Sequence, residues 1–212
     1  MGISISTVSR ALNGYTDVSA ATRQRVFDAA KAMNYEPHPL AHRLATGKTG
    51  AVAIVSPTRD GRSVDNSIAV LHLAVSQALR EQGFFTLSIV LAGGDQELVE
   101  LNRLIAARLV DAMVLTRTRT VDARVQRLQE RKIPFVTYGR TLENEPHAWV
   151  DWDLEYAFEQ AVKALLAHGH RRIALINGMV HMSFASLIER SVCAQLKQAG
   201  INPSECPIHY TD

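Results

Sequence analysis

The chain has 212 residues, a formal net charge of +2, 47% hydrophobic and 21% charged residues. This is enough to bury a sizeable core in one or two domains, and the balance is that of a globular protein rather than a disordered or fibrous one. No apolar run is long enough to span a bilayer and no basic-then-apolar leader opens the chain, while Cys193 and Cys206 form no CxxC pair, so a membrane protein, a disulfide framework and a cysteine-held metal are not expected. The charge is uneven: residues 1–50 carry six basic against three acidic side chains, a balance of +3, and the remainder balances at −1.

Ser4 to Gly14 reads as a short helix, with Ser4 as N-cap and Gly14 as its stop. Val8, Ala11 and Leu12 fall at i, i+3 and i+4 and suit a small core. The opposite face carries Ile5, Ser6, Ser9, Arg10 and Asn13, without an acid. Such groups suit the acceptors, donors and thymine methyl of a major groove. They equally suit the wet face of a helix in a small bundle.

A turn at Tyr15–Val18 leads to a second helix, capped by Ser19 and running to about Met33, with Val26, Ala29, Ala30 and Met33 on one face. Thr22 and Arg23 in its first turn suit a phosphate. Pro37 and Pro39 end it. Residues 40–49 form a short basic segment holding His42, Arg43, Leu44 and Lys48. His38 and His42 share i, i+4 spacing, but no third ligand is close, so no metal site is expected.

From Ala51 the pattern alternates between strand and helix. Ala51–Val55 is a buried strand, 67–82 a helix, 84–90 a strand, 95–109 a helix, 112–115 a strand, 122–131 a helix and 133–138 a strand. This βαβ repetition predicts a doubly wound parallel sheet. Trp149–Asp153 leads into a helix over 154–168, followed by a strand over 173–176 and a helix over 184–199. Gly93-Gly94 reads as a turn. There is no GxGxxG after the first strand, no P-loop and no GxSxG, and Asp151 with Asp153 shows no division of acid and base roles. An enzyme, a cofactor and a catalytic set are not expected.

Gly2-Ile3-Ser4-x-x-Thr7-Val8-Ser9-Arg10-x-Leu12-Asn13-Gly14 resembles the recognition-helix motif of the lactose-repressor (LacI/GalR-type) family of bacterial transcription regulators. The likeness continues through Val18-Ser19, Thr22-Arg23, Val26, Tyr35-x-Pro37, Leu40-Ala41, Leu44 and Lys48-Thr49. It returns at Val150-Asp151 and Gly169-His170-Arg171-x-Ile173, so it covers nearly the whole chain. Tyr138-Gly139-Arg140 and Gly169 to Gly178 look like regulators of glucoside utilisation.

The resemblance implies a partial helix-turn-helix head over 1–37, a hinge helix over 38–50, an effector N-subdomain over 51–148, and a crossover with part of a C-subdomain over 149–212. The effector domain would be periplasmic-binding-protein-like, with its second subdomain incomplete. Family members have a further helix before the position of Gly2 and further βα units beyond that of Asp212, so the chain reads as shortened at both ends, exposing apolar surface in the second subdomain. DNA contacts are expected from Ile5, Ser6, Thr7, Ser9, Arg10, Asn13, Ser19, Thr22, His38, Arg43 and Leu44. The resemblance makes Leu44 a wedge in the minor groove, where unstacking a base step allows wider contact.

Ligands of open α/β sheets sit outside the carboxyl ends of the strands. That rule selects 56–66, 92–95, 116–118, 139–140, 151–153 and 177–190. A sugar needs aromatic faces and fixed polar groups, for which Arg140, Asp151, Trp152, Phe184, Ser186 and Arg190 are candidates. Arg190 matches the arginine that opens the family's Arg-x-x-Gly effector motif, although Cys193 stands in place of that glycine. Trp149 and Trp152 could instead pack between subdomains, and Asp151 could brace the crossover. The function implied is a cytoplasmic, dimeric, sugar-relieved repressor of a carbohydrate operon that binds operator DNA. The alternative is a periplasmic-type sugar-binding protein without DNA binding, which residues 1–50 and the absence of a leader disfavour.

Overall fold

A computed structural model describes residues 2–35, 47–58, 66–143 and 146–211. The chain divides into two compact units, Met1–Thr49 and Gly50–Asp212. Among the expected contact residues, His38, Arg43 and Leu44 lie outside the described residues.

The first unit holds α1 (Ile5–Leu12) and α2 (Ala20–Ala32). Ser4 caps α1 by accepting from Thr7 N at 3.1 Å, and Ser19 caps α2 by accepting from Thr22 N at 3.2 Å. Gly14, at φ +76°, takes the left-handed turn that a side chain would resist. Ala11, Val18 and Val26 are buried, with Ile3, Val8 and Leu12 packed around them. The expected apolar face of α2 is only partly used: Met33 is 76% exposed, and Ala29 and Ala30 are only half-buried. The eight residues of α1 span about 12 Å while the thirteen of α2 span about 20 Å, so α1 cannot cover the far end.

The second unit is built on a parallel sheet ordered β2-β1-β3-β4-β5: β1 (Ala51–Pro57), β2 (Phe85–Leu91), β3 (Ala112–Leu115), β4 (Phe135–Tyr138) and β5 (Trp149–Val150). Strand β1 lies between two neighbours and is buried at every residue, which is what its unbroken apolar run requires. Helices α3 (Asn66–Glu81), α4 (Gln96–Ala107) and α5 (Ala123–Glu130) fill the crossovers. Ala53, Val55, Met113 and Leu115 face Leu101, Leu104, Val125 and Leu128 of α4 and α5. On the other face Val52, Ile54 and Val114 meet Val75 and Leu79 of α3. Helices cover both faces, so the sheet is doubly wound as the alternation predicts.

Beyond β5 come α6 (Leu154–Ala167), β6 (Leu175–Asn177), α7 (Ser183–Gln198), a short 3-10 turn at Pro203–Glu205 and β7 (Ile208–Tyr210). Val162, Ile188, Val192 and Leu196 join α6 to α7, and β6 pairs in parallel with β7. Two strands, β5 and β7, and the 3-10 turn were not read from the sequence. Trp149–Val150 adds an edge strand rather than a mere approach to α6, and Ile208–Tyr210 closes a two-stranded sheet. Both runs are too short to show a period. Strand β4 begins at Phe135, two residues later than expected, because Pro134 has no N–H to donate to the ladder. Strand β6 runs over 175–177 rather than 173–176, in register with Ile208–Tyr210. Ile176 stays 77% exposed, and Val180 and Tyr210 are also exposed, as expected of so small a second sheet.

Candidate functional site

Two surfaces carry candidate chemistry, one on each unit. On the first, α1 turns Ala11 into the core and leaves Ile5, Ser6, Ser9 and Arg10 outside, Ile5 at 89% exposure. An isolated apolar side chain held clear of every neighbour suits a thymine methyl. Thr7 is half-buried, with its hydroxyl 2.9 Å from Ser4 Oγ. Asn13 is spent locally, because Nδ2 donates to Ser9 O at 2.8 Å. Ser19 and Thr22 share a hydroxyl contact at 2.9 Å at the start of α2.

The sequence face of α1 contains no acid, but the fold brings one to it. Arg10 pairs with Asp17 from the following turn, and its guanidinium lies 5.3 Å from the Tyr15 ring centre. Both partners are half-exposed, so this pair is worth no more than about 1 kcal/mol, and a base or phosphate can displace it. Arg23 turns inward: Nη2 donates to Tyr15 O at 2.8 Å, which pins the connection rather than offering a phosphate site. Its proximity to that carbonyl is set by a turn geometry that helical spacing does not reveal.

On the second unit, the candidates fall in two places, just after β4 and β5 and along α7. Arg140, just after β4, donates from its backbone N to Asp151 Oδ2 at 3.3 Å, pairs with Glu155 on α6 and lies 5.4 Å from the Trp149 ring centre. Trp152 Nε1 donates to the Tyr138 hydroxyl at 2.6 Å, while most of its indole is exposed. Phe184, Ser186 and Arg190 sit on the first two turns of α7. Phe184 covers Gly178, where an added Cβ would lie 2.4 Å from the ring. The structure thus joins Arg140, Asp151 and Trp152 into one cluster. Among the described residues, no hydrogen bond or ion pair ties that cluster to Phe184, Ser186 or Arg190.

A cavity of about 560 Å³ opens at the ends of β1, β2 and β3, lined by Thr58, Gly93, Arg117, Arg119, His181 and Met182 among others. None of the six candidates lines it. The carboxyl-end rule had selected the loops of Thr58, Gly93, Arg117, His181 and Met182, but not these side chains as contacts, and Arg119 lies one residue beyond the span selected.

Two features fix the 116–120 loop on that wall. Ser183 N and Oγ both donate to Thr118 O, at 3.1 and 3.2 Å, and Arg119 forms a bridge with Met182. Beneath lies a buried ionic chain. Arg124 donates to Asp122 from Nε at 2.9 Å and Nη2 at 2.7 Å, and to the carbonyls of Thr116 and Arg117, both at 3.0 Å. Glu97 lies 3.2 Å from Arg124 Nε and accepts from Arg119 Nη2 at 2.6 Å. Burial pushes the Asp122 carboxyl up, but the Arg124 hydrogen bond and charge, aided by Arg119, outweigh it and hold it below the usual carboxylate range. The sequence showed Asp122 only as a helix start.

A doubly wound parallel α/β unit with a cavity at its strand ends, in a chain that also carries a helical head, defines a class, and the comparisons agree with it. The profile "Periplasmic binding proteins and sugar binding domain of LacI family" matches residues 68–209, and "Bacterial regulatory proteins, lacI family" matches residues 1–38. The chain belongs to the lacI family of bacterial regulatory proteins.

Among its relatives, the HTH-type transcriptional regulator AglR of Rhizobium meliloti (strain 1021) is 35% identical over 100% of this chain and 59% of its own length. The HTH-type transcriptional regulator RafR of Escherichia coli is 37% identical over 84% of this chain and 52% of its own. A solved structure, "transcriptional regulator CelR-cellobiose complex", is 30% identical with a TM-score of 0.67, covering 100% of this chain and 63% of that one. The lac repressor dimer bound to operator, 20% identical with a TM-score of 0.75, supports the fold. The chain therefore spans between about half and two thirds of the length of these proteins.

Proposed function

We propose that the protein is a sequence-specific DNA-binding transcriptional regulator, acting in the cytoplasm as a repressor of a carbohydrate-utilisation operon that a small sugar relieves. The carrying observation is the outward face of α1, where Ile5, Ser6, Ser9 and Arg10 stand clear of the head core in a chain that also holds a ligand cleft. Direct base reading falls to those four, with Thr7 and Asn13 beside them, and Ser19 and Thr22 serve a phosphate at the start of α2. His38, Arg43 and Leu44 supply the hinge contacts, Leu44 as the minor-groove wedge. The effector contacts Arg140, Asp151, Trp152, Phe184, Ser186 and Arg190 at the carboxyl edge of the sheet.

The working unit is a homodimer. Its support is exposed apolar surface on two neighbouring elements, Leu73 (72% exposed) and Val70 on α3 and Phe85 (76%) and Val90 on the edge strand β2. An edge strand with such residues is normally covered. Effector binding changes the relation between the two halves of the cleft, and the hinge segments lose their DNA-competent arrangement. Such coupling amounts to about 1–3 kcal/mol. The names of the relatives favour this reading over a solute-binding protein, as does the head itself.

The test is selection from a randomised duplex pool followed by titration at two salt concentrations. Enrichment of one two-fold-symmetric sequence, bound at least about a thousandfold more tightly than scrambled DNA, is the expected result. Recovery of no preferred sequence contradicts the regulator reading and leaves the solute-binding alternative.

A further inference from the structure

We infer that Asp17 is a specificity-determining residue of the DNA-reading surface. It grips the Arg10 guanidinium by one edge, offsets its pull on phosphate and leaves the outer end for the two acceptors of a guanine. This inference rests on the reading of α1 as the base-reading helix.

The grip is two-pronged. Arg10 Nε donates to Asp17 Oδ1 at 3.3 Å while Nη2 meets Oδ2, so both carboxylate oxygens lie along the Nε–Nη2 edge. The Tyr15 ring also lies against the guanidinium, its centre 5.3 Å from the guanidinium carbon. The Nη1–Nη2 end keeps the N–H groups that match guanine O6 and N7.

The fold, and not Arg10 alone, sets where Asp17 stands. Arg23 on α2 donates from Nη2 to Tyr15 O at 2.8 Å and to Val18 O at 3.4 Å, the carbonyls that bracket Asp17. Tyr15 N donates to Arg10 O at 3.1 Å, and Val18 is buried in the head core. The carboxylate is therefore presented to Arg10 before DNA arrives, and little freedom remains to be lost on binding.

Arg10 is the charged side chain of α1, and Asp17 stands beside it as its counter-charge. Asp28, the other acid among the described residues of this unit, accepts from Gln24 on α2. A phosphate that approaches Arg10 meets Asp17 at nearly the same distance, and repulsion offsets attraction. A guanine edge carries no net charge and is chosen by hydrogen-bond geometry, which a fixed guanidinium sharpens. Asp17 thus adds selectivity by penalising the wrong contact.

The experiment titrates the whole chain by fluorescence anisotropy against the duplex selected from the randomised pool and against scrambled DNA, at several salt concentrations. The pair is half-exposed, so the effect is that of a surface ion pair. Asp17→Asn should raise affinity for scrambled DNA by roughly fivefold more than affinity for the selected duplex. The log–log salt slope on scrambled DNA should steepen by about 0.9, the value of one further phosphate. Asp17→Ala should give the same shifts, so the readout does not hang on one variant. In an Arg10→Gln background, Asp17→Asn should move both duplexes equally, because Asp17 acts through Arg10. Placing 7-deazaguanine at the base pair whose preference Arg10→Gln abolishes should weaken the unaltered protein roughly tenfold and leave Arg10→Gln unaffected.

Equal gains on both duplexes with Arg10 in place make Asp17 a source of general repulsion and overturn the inference, as does no gain on either. Lost discrimination that persists in the Arg10→Gln background overturns the route through Arg10. A base other than guanine at the Arg10-dependent position overturns the guanine assignment. All of these leave α1 as the reading helix, whereas an unaltered protein that prefers no sequence overturns the inference together with that reading.

Discussion

Removing one member of the buried pair Asp122–Arg124 should cost far more than removing both. Each side chain is 0% exposed, and Arg124 spends its Nε and Nη2 on Asp122 and on two main-chain carbonyls. Its Nη1 is already buried without a hydrogen-bond partner, so there is no slack to absorb a further loss. Asp122→Ala leaves a guanidinium with only Glu97 beside it and also strips the cap that accepts from Arg124 N at 3.0 Å. An uncompensated buried charge costs about 3–5 kcal/mol, a large share of the roughly 5–15 kcal/mol that holds a domain folded.

Arg124→Met should cost a similar amount by orphaning Asp122 and the carbonyls of Thr116 and Arg117. The double variant Asp122→Leu/Arg124→Met removes both charges and keeps the volume, so it should cost no more than either single change. The coupling energy should therefore be at least as large as one single cost, about 3 kcal/mol or more. Urea unfolding followed by the fluorescence of Trp149 and Trp152, both in the second unit, measures this. With a slope near 2 kcal/mol per molar urea, each single variant should lower the midpoint by about 1.5–2.5 M. Single costs below about 1 kcal/mol that simply add would refute the view that the pair is buried and coupled.

Three further outcomes follow. Gly139→Ala should destabilise the second unit by about 1–3 kcal/mol, because φ is +96° there and the new Cβ would meet Thr118 Oγ1 at 2.4 Å; adding Thr118→Ala should recover part of the loss in the same urea assay. Burial holds the His72 imidazole below its ordinary pKa, between Ser56 Oγ at 3.2 Å and Ser88 Oγ at 2.9 Å. The unfolded chain then binds the proton first, so stability should fall as pH drops below about 6.5, and His72→Gln should flatten that part of a pH-resolved unfolding curve; an unchanged slope would contradict it. Asp17→Asn should free Arg10 and raise affinity for the selected DNA, whereas Arg10→Ala should lose roughly 1–3 kcal/mol of discrimination at one base pair; a uniform loss on every sequence would make Arg10 a phosphate contact.

The fold was largely legible because its signals are strong and local. The unbroken run of β1, the periodic helices and the capping serines Ser4 and Ser19 all act within a few residues. Elements built by pairing alone left little trace: Trp149–Val150 and Ile208–Tyr210 are two and three residues long and owe their conformation to neighbours. Met33 shows the limit of periodicity, since a helical stripe marks what could be buried but not what is there to cover it. At the cleft, the rule that ligands sit at strand carboxyl ends found the right loops. It could not rank the side chains on them, because Arg119 is aimed by Glu97, 22 residues away, and Arg10 is engaged by Asp17, on the next turn of chain.

The central claim is that one chain reads DNA and answers to a sugar, and a coupled titration tests it directly. The selected duplex is titrated with the protein by fluorescence anisotropy, first alone and then with a saturating sugar whose binding to the protein has been established by calorimetry. The account requires the specific affinity to fall by roughly 5- to 150-fold with sugar present, with binding to scrambled DNA unchanged. The same affinity with and without a sugar that demonstrably occupies the cleft would contradict it.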